Sequence, residues 1–314
     1  MFSNEQADQG GSFFFTNMNI PANFTKPPLC IEEQVSLLKE RGVSIQDFNQ
    51  ACKVLSAVNY YRFCGYGLSF EIFENGNRLN KFKDGTSFNR IYELYLWDEL
   101  LRNLLTDGLS YIEIAFRASF VYEMSIANND PFWHLNAELM NEKYNADKFF
   151  KQCEDAVTKN GKEIFIKSYR ERYNSDIVPS WILAEVMSFG KWSRLLGCIR
   201  DRNFIKKIAE NLGVPHNYLI SWIHSLVALR NRCAHQGQLW NRILTIKPLL
   251  TPKLRKLDWS PERSGVIIWI MADIMRKIPK IREDFIFKLE NLLSNCPESY
   301  ENPLGMKLSK EIWL

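Results

Sequence analysis

The chain has 314 residues, 46% of them hydrophobic, and a formal net charge of +4. That length buries a sizeable core in one large domain or two, and so small a charge singles out no partner. Seven widely spaced cysteines with no C-x-x-C, and four scattered histidines, argue against a disulfide framework and a metal centre; no cofactor is expected.

Glu5 and Asp8 precede the short Phe13-Phe14-Phe15 run, unlike the basic start and longer apolar stretch of a secretory signal. No segment approaches the roughly 18 apolar residues of a membrane span. The nearest, 266–275, is short and contains Asp273. The expectation is a soluble cytoplasmic protein with free thiols, the buried state being their commonest one.

Residues 1–25 are polar, with Gly10-Gly11 and several Asn, and read as a flexible tail. Ile31, Val35 and Leu38 predict a helix over 31–41 that stops at Gly42. Ser44 precedes a second helix over about 47–58, with Phe48, Ala51, Val54 and Leu55 on its apolar face. An aromatic, Gly-punctuated stretch follows, Asn59-Tyr60-Tyr61-Arg62-Phe63-Cys64-Gly65-Tyr66, and then turn signals at Asn75-Gly76-Asn77 and Asp84-Gly85. Ser87 opens the longest helix, to about 124, in which Leu94, Trp97, Leu101, Leu104 and Leu105, then Ile112, Phe116 and Phe120, recur at steps of three and four. Gly108 within it marks a kink or a close helix contact. Residues 128–160 read as a polar insertion with short helices.

Pro179-Ser180 begins a helix that ends near Gly190, and two more are predicted at about 192–199 and 203–212, the latter closed by Gly213. Asn217 is the expected cap of a helix over about 218–236, with Gly237 just past its end. Pro248, Pro252 and Pro261 break the chain before a final helix over about 265–293. No stretch alternates convincingly with period two, and no repeat is visible. The fold class is all-α, a helical bundle.

The excess positive charge is concentrated. From Asn211 to Leu257 there is no Asp or Glu, while Arg230, Arg232, Arg242, Lys247, Lys253, Arg255 and Lys256 fall there, which leaves the remainder of the chain net negative. Lys191, Arg194, Arg200, Arg202, Lys206 and Lys207 come just before. This is the footprint of a polyphosphate binder, unless the charges scatter over different faces as solvated surface. Arg232, Arg242, Lys191 and Arg194 are the candidate RNA-binding residues. Trp192, Trp222 and Trp240 can stack on bases, and core packing is the commoner use of such side chains.

The most informative stretch is Leu229-Arg230-Asn231-Arg232-Cys233-Ala234-His235-Gln236-Gly237. Ile220, Ile223, Leu226 and Val227 bury the helix upstream, and at Arg230 the composition turns polar. Asn231 and His235 stand at i and i+4, about 40° apart. Arg230 is five residues from His235, about 140° around, and long enough to reach the same groove. RNA carries its own nucleophile, the 2′-OH, so its cleavage needs a proton acceptor, a proton donor and positive charge on the developing phosphorane. Histidine serves either proton transfer and arginine grips two phosphate oxygens. The candidate catalytic residues are therefore Arg230, His235 and Asn231. At the last helical turn the dipole favours the charged imidazole, and Arg230 and Arg232 oppose it. Helix-end packing is the competing use of such a histidine. His134 reads as aromatic packing, His216 as a helix start and His224 as a buried, satisfied histidine. Because each chain offers one such His, a symmetric dimer would supply the second.

With these residues in view, the chain resembles the Abi-type abortive-infection proteins, the AbiD/AbiF-like group of the HEPN superfamily. The resemblance runs over about 26–247. It rests on Ile31-Glu32-Glu33-Gln34-Val35 with Leu37-Leu38-Lys39-Glu40-Arg41-Gly42, and on Asn59-Tyr60-Tyr61-Arg62 with Gly65-Tyr66. Further support comes from Leu94-Tyr95-Leu96-Trp97-Asp98-Glu99-Leu100-Leu101-Arg102, continuing into Ile112-Glu113-Ile114-Ala115-Phe116-Arg117. Pro179-Ser180-Trp181 with Glu185 and Ser188-Phe189-Gly190 adds to it, as does Arg230-Asn231-Arg232-Cys233-Ala234-His235, similar to the R-N-x-x-x-H motif of that superfamily. The resemblance implies a HEPN-like bundle over 26–250, to which N- and C-terminal helices are added; residues 251–314 lie outside the resemblance and read as a C-terminal helical extension packed on the same body. It also implies a homodimer with a composite site, metal-independent endoribonuclease activity in anti-phage defence, and restraint by an RNA or protein antitoxin. The alternative is a non-catalytic RNA-binding or RNA-sensing module. Glu113 and Arg117 read as further site residues or a structural i, i+4 ion pair, Arg62 and Arg102 as phosphate ligands or packing residues, and Tyr60 and Tyr61 as base-stacking or core aromatics.

Overall fold

The computed structural model describes residues 26–278 and 284–307. The expected tail, 1–25, lies outside the described residues. In chain order these form α1 (Ile31–Glu40), α2 (Phe48–Ala57), α3 (Tyr60–Gly67), a hairpin of β1 (Glu71–Glu74) and β2 (Asn77–Phe82), α4 (Phe88–Asn128), α5 (Ala146–Lys159) and α6 (Ile164–Tyr173). There follow α7 (Ser180–Val186), α8 (Phe189–Cys198), α9 (Arg202–Asn211), α10 (His216–Ala234), the one-turn α11 (Pro252–Arg255), α12 (Ser264–Met275) and α13 (Asp284–Ser294). The class is all-α, as expected, apart from the hairpin.

The spine is α4. Its 41 residues span about 60 Å. Leu94, Leu101, Leu105, Leu109, Ile112, Phe116 and Phe120 on it are fully buried, so each turn places at least one large apolar side chain toward the core. Helices α3, α7, α8, α9, α10, α12 and α13 all pack on it. Gly108 serves the close approach: a Cβ there would lie 2.7 Å from Met271 Cε and from Phe285 Cε2, so α12 and α13 come near because the side chain is missing. Every residue from Ser264 to Ala272 in α12 is buried. A helix apolar all round belongs in a core. No helix among the described residues is long and apolar enough to cross a membrane.

Local chemistry sets the helix starts. Asp47, Ser87, Asn145, Asp201 and Thr251 each accept a backbone N–H of the following turn. Gly42, with φ +99°, closes α1 as expected. Trp192, Trp222 and Trp240 are buried core side chains.

Several expectations need correction. The Asn75-Gly76 turn is the two-residue loop of a hairpin, both residues having positive φ. Its strands pair Glu71 with Phe82 and Phe73 with Arg78 around a bulge. Nearly all the strand residues are exposed, so no inward face enforces alternation and the period-two signal is absent. The aromatic stretch after Asn59 is helical, as α3. The helix predicted from Pro179 to Gly190 ends at Val186, and α8 begins at Phe189. The predicted final helix is two, α12 and α13. The cysteines, all unpaired, are not uniformly buried: Cys64, Cys153 and Cys233 are, and Cys30 is exposed.

One buried polar cluster ties the far end of α10 to the spine. Asp98 on α4 accepts from Tyr66 Oη at 2.7 Å, from the backbone N–H of Leu239 at 3.2 Å and of Trp240 at 2.9 Å, and from Arg102. Arg102, 1% exposed, is spent on this pair and on Tyr66, which removes it as a phosphate ligand. Gln238 is buried alongside. Its amide donates to the carbonyls of Gly65 and Trp240 and accepts from Arg242.

His134 packs against Trp133 and Phe149, and burial pushes its imidazole down to about 4. The unfolded chain takes up that proton near 6.5, the folded chain only near 4. Stability is therefore expected to fall as pH drops through this window, by on the order of 3 kcal/mol in all. Thermal melts at pH 7 and pH 4.5 measure it, and His134→Phe should flatten the difference.

Candidate active site and its basic clefts

Helix α10 is anchored by Leu219, Trp222, Ile223, Leu226, Leu229 and Cys233, all buried. The opposite stripe is different. Ile220, His224, Val227 and Asn231 recur at steps of four, three and four, and His224, Asn231 and His235 are exposed. His224 is thus not the buried histidine that its apolar neighbours suggested. It stands about three turns before His235 on one face, 3.1 Å from Ser193 Oγ.

The end of α10 is a Schellman turn. The Gln236 N–H donates to Cys233 O and the Gly237 N–H to Arg232 O. Gln236 takes the left-handed conformation, φ +54°, one position before the glycine expected there. The helix starts at His216 rather than beyond a cap at Asn217. His235 is the capping residue, its N–H held by the Asn231 carbonyl at 3.0 Å. Arg62 of α3 donates to the Gln236 carbonyl and so braces the turn. Gln238 lies beyond the helix and does not continue the Asn231–His235 face.

Arg230 bridges the edge of this stripe and α4. Its guanidinium donates to Glu113, 3.2 Å at the closest, and to Asn231 Oδ1 at 3.2 Å. Arg117 donates to the same carboxylate. The pair read from sequence as Glu113–Arg117 is therefore a triad in which one carboxylate, 7% exposed, aims two arginines. Burial and the Arg230 charge both push Arg117 below its ordinary value. No hydrogen bond joins the His235 ring to Arg230 among the described residues. Sequence reasoning has Glu113 with Arg117 among the further site candidates but misses its contact with Arg230, 117 positions away; an acidic residue in an apolar helix is the only signal for it.

The candidate RNA-binding residues divide between two clefts. Arg232 and Arg242 line one of about 600 Å³, formed by α3, the hairpin and the segment after α10. Lys191 and Arg194 line another of about 760 Å³ with Lys143, Lys148, Arg202 and His224. No acidic side chain lines either one. The second lies on the exposed stripe of α10, upstream of Asn231. Its Lys191 Nζ is partly engaged, donating to Gln152 O at 3.2 Å. A third groove is apolar. Ile114, Tyr122 and Ile126 of α4 and Trp181 of α7, all exposed, line it beside Arg117 and Glu185. Among the described residues no group of three or more His, Cys, Asp or Glu is placed to hold a metal ion.

Neither a curated protein nor a solved structure matches the chain. The family model for Abi-like proteins matches residues 53–241, from within α2 to just past the α10 turn, so it takes in α3 to α10 and the Arg230–His235 segment, but not α1 or Arg242. By that match over more than half its length, the chain belongs to the Abi-like protein family.

Proposed function

We propose that the chain is a metal-independent endoribonuclease of abortive infection against phage. In this reading the 2′-oxygen attacks the adjacent phosphorus and gives up its proton. The P–O5′ bond breaks, the 5′-oxygen takes a proton, and a 2′,3′-cyclic phosphate remains. His235 transfers a proton, Arg230 neutralises the phosphorane and Asn231 orients the phosphate or the ring. The observation that carries the reading is the α10 terminus. An exposed imidazole on a braced turn stands one helical turn past Asn231, which accepts from an arginine held by a buried carboxylate.

A single histidine leaves the opposite proton transfer unfilled, and a second copy would supply it. The apolar groove beside Arg117 supports a homodimer through α4 and α7, since exposed aromatic and aliphatic patches mark association surfaces. Arg232, Arg242, Lys191 and Arg194 would hold the RNA backbone, and an RNA or protein antitoxin would cover these clefts.

The testing experiment is incubation of end-labelled, mixed-sequence RNA with the protein in EDTA. Fragments ending in 2′,3′-cyclic phosphate support the reading. Salt-sensitive binding without fragments favours the non-catalytic RNA-binding module.

Glu113 acts as a positioning residue here. Glu113→Gln should lower kcat about tenfold or more, with KM little changed, because misplacing a catalytic group by about 1 Å costs up to 10²-fold. Steady-state cleavage kinetics read this out, and Glu113→Asp should recover part of the loss.

A further inference from the structure

The cleft lined by Arg232 and Arg242 holds more charge than backbone positioning needs. Lys26, Arg41, Arg62, Arg232 and Arg242 line it, from the two ends of α1, from α3, from the last turn of α10 and from the segment after it. The four arginines are half-buried, yet none of the five cations pairs with a carboxylate among the described residues. The four arginines' partners are neutral oxygens: Tyr60 Oη for Arg41, the Gln236 carbonyl for Arg62, the Gln238 carbonyl for Arg232 at 2.6 Å, and Gln238 Oε1 for Arg242 at 2.9 Å. The sixth cation of the lining, Arg78, is different, being paired with the buried Glu71. Burial and the neighbouring Arg242 charge push Arg232 below its ordinary value. Withdrawing several like charges from water without counter-charge is costly, and an anionic ligand offsets the cost.

An internal phosphodiester brings one negative charge, whereas a terminal phosphate brings about −1.5 to −2. At the rim stands Tyr61, 87% exposed, next to the half-buried Tyr60. An aromatic ring so exposed beside a basic cleft is a stacking platform for a base. The volume of about 600 Å³ accommodates a small polar ligand.

We propose that this cleft is a binding site for a 5′-phosphorylated nucleotide, the terminal phosphate seated among Arg41, Arg232 and Arg242 and the base stacked on Tyr61. The ligand is either the 5′ end of an RNA or a free nucleotide. The site stands on its own geometry and does not depend on strand cleavage.

The test is fluorescence anisotropy with a 3′-labelled pentaribonucleotide carrying a 5′-phosphate or a 5′-hydroxyl, with ADP and pyrophosphate as competitors. Wild-type protein should prefer the phosphorylated end at least tenfold, and Arg242→Ala should abolish the preference. Arg41→Gln serves if melting shows that Arg242→Ala is misfolded. Lys148→Ala, in the other cleft, should leave the preference intact. Tyr61→Ala should weaken the pentanucleotide and ADP about tenfold and leave pyrophosphate unchanged. Competition by ADP at the pentanucleotide's own affinity assigns a free nucleotide; ADP tenfold weaker assigns an RNA end. Equal affinity for the two pentanucleotides, or a preference that survives both arginine substitutions in folded protein, overturns the proposal whether or not the protein cuts RNA.

Discussion

His235→Ala is expected to lower the rate of RNA cleavage in EDTA by about 10²–10⁴-fold, the usual loss when a general acid or base is removed. Arg230→Ala should lose about 10²–10³-fold, as removal of a preformed donor to developing charge does elsewhere. Neither change should alter the melting temperature much. His235 is exposed on the capping turn, and its backbone N–H is what holds the turn. Removal of Arg230 still leaves Glu113 its contact with Arg117. A loss of activity with an unchanged melt is then chemical rather than structural. Cleavage that survives both substitutions would take the two residues out of the mechanism. If the site needs His235 from both copies, adding excess His235→Ala protein to wild type should suppress the wild-type activity, since each mixed dimer then holds a single His235.

Asp98→Asn should be among the most destabilising single changes in the chain. The carboxylate is wholly buried and accepts from Tyr66, Arg102 and two backbone N–H groups. An amide has one oxygen to offer, turns an NH₂ toward groups that are themselves donors, and leaves Arg102 as an uncompensated buried charge. Breaking a buried ion pair from one side costs about 3–5 kcal/mol. At roughly 2–4 °C per kcal/mol for a domain of this size, the melting temperature should drop by about 10 °C. Thermal denaturation followed by circular dichroism measures it. A drop of only a degree or two would mean that the segment 238–240 is held by its apolar contacts, with Leu239 and Trp240 sufficient as anchors. Because that segment also carries Gln238, the basic cleft should loosen before the fold is lost, and anion binding should weaken in Asp98→Asn at temperatures well below its melt.

The helices of the spine and of α10 were legible because their periodicity is the imprint of burial. Residues three and four apart on α4 meet the core together, and the pattern of Leu94 to Phe120 states this without any tertiary knowledge. The order of segments that resembles the Abi-type proteins agrees with the family match, although the match starts at residue 53 and leaves out the α1 segment. The hairpin was hidden because both its faces are largely wet. The split between α7 and α8 was hidden because no Gly or Pro marks it: Met187 and Ser188 both take extended backbone, ψ 136° and 150°.

The sequence by itself determined the fold class, the positions of most helices, the abrupt polar end of α10 and the gathering of charge between residues 211 and 257. These are properties of neighbours along the chain: spacing, capping and composition act within one or two turns. Only the tertiary structure decided which groups meet. It joined Glu113 to Arg230 and separated Arg232 and Arg242 from Lys191 and Arg194 into two clefts. It spent Arg102 on Asp98 and left His224 in solvent. The reason is physical. A side chain on a helix points by its angle about the axis, but what it meets is set by the crossing of helices distant in sequence, and no local pattern encodes that crossing.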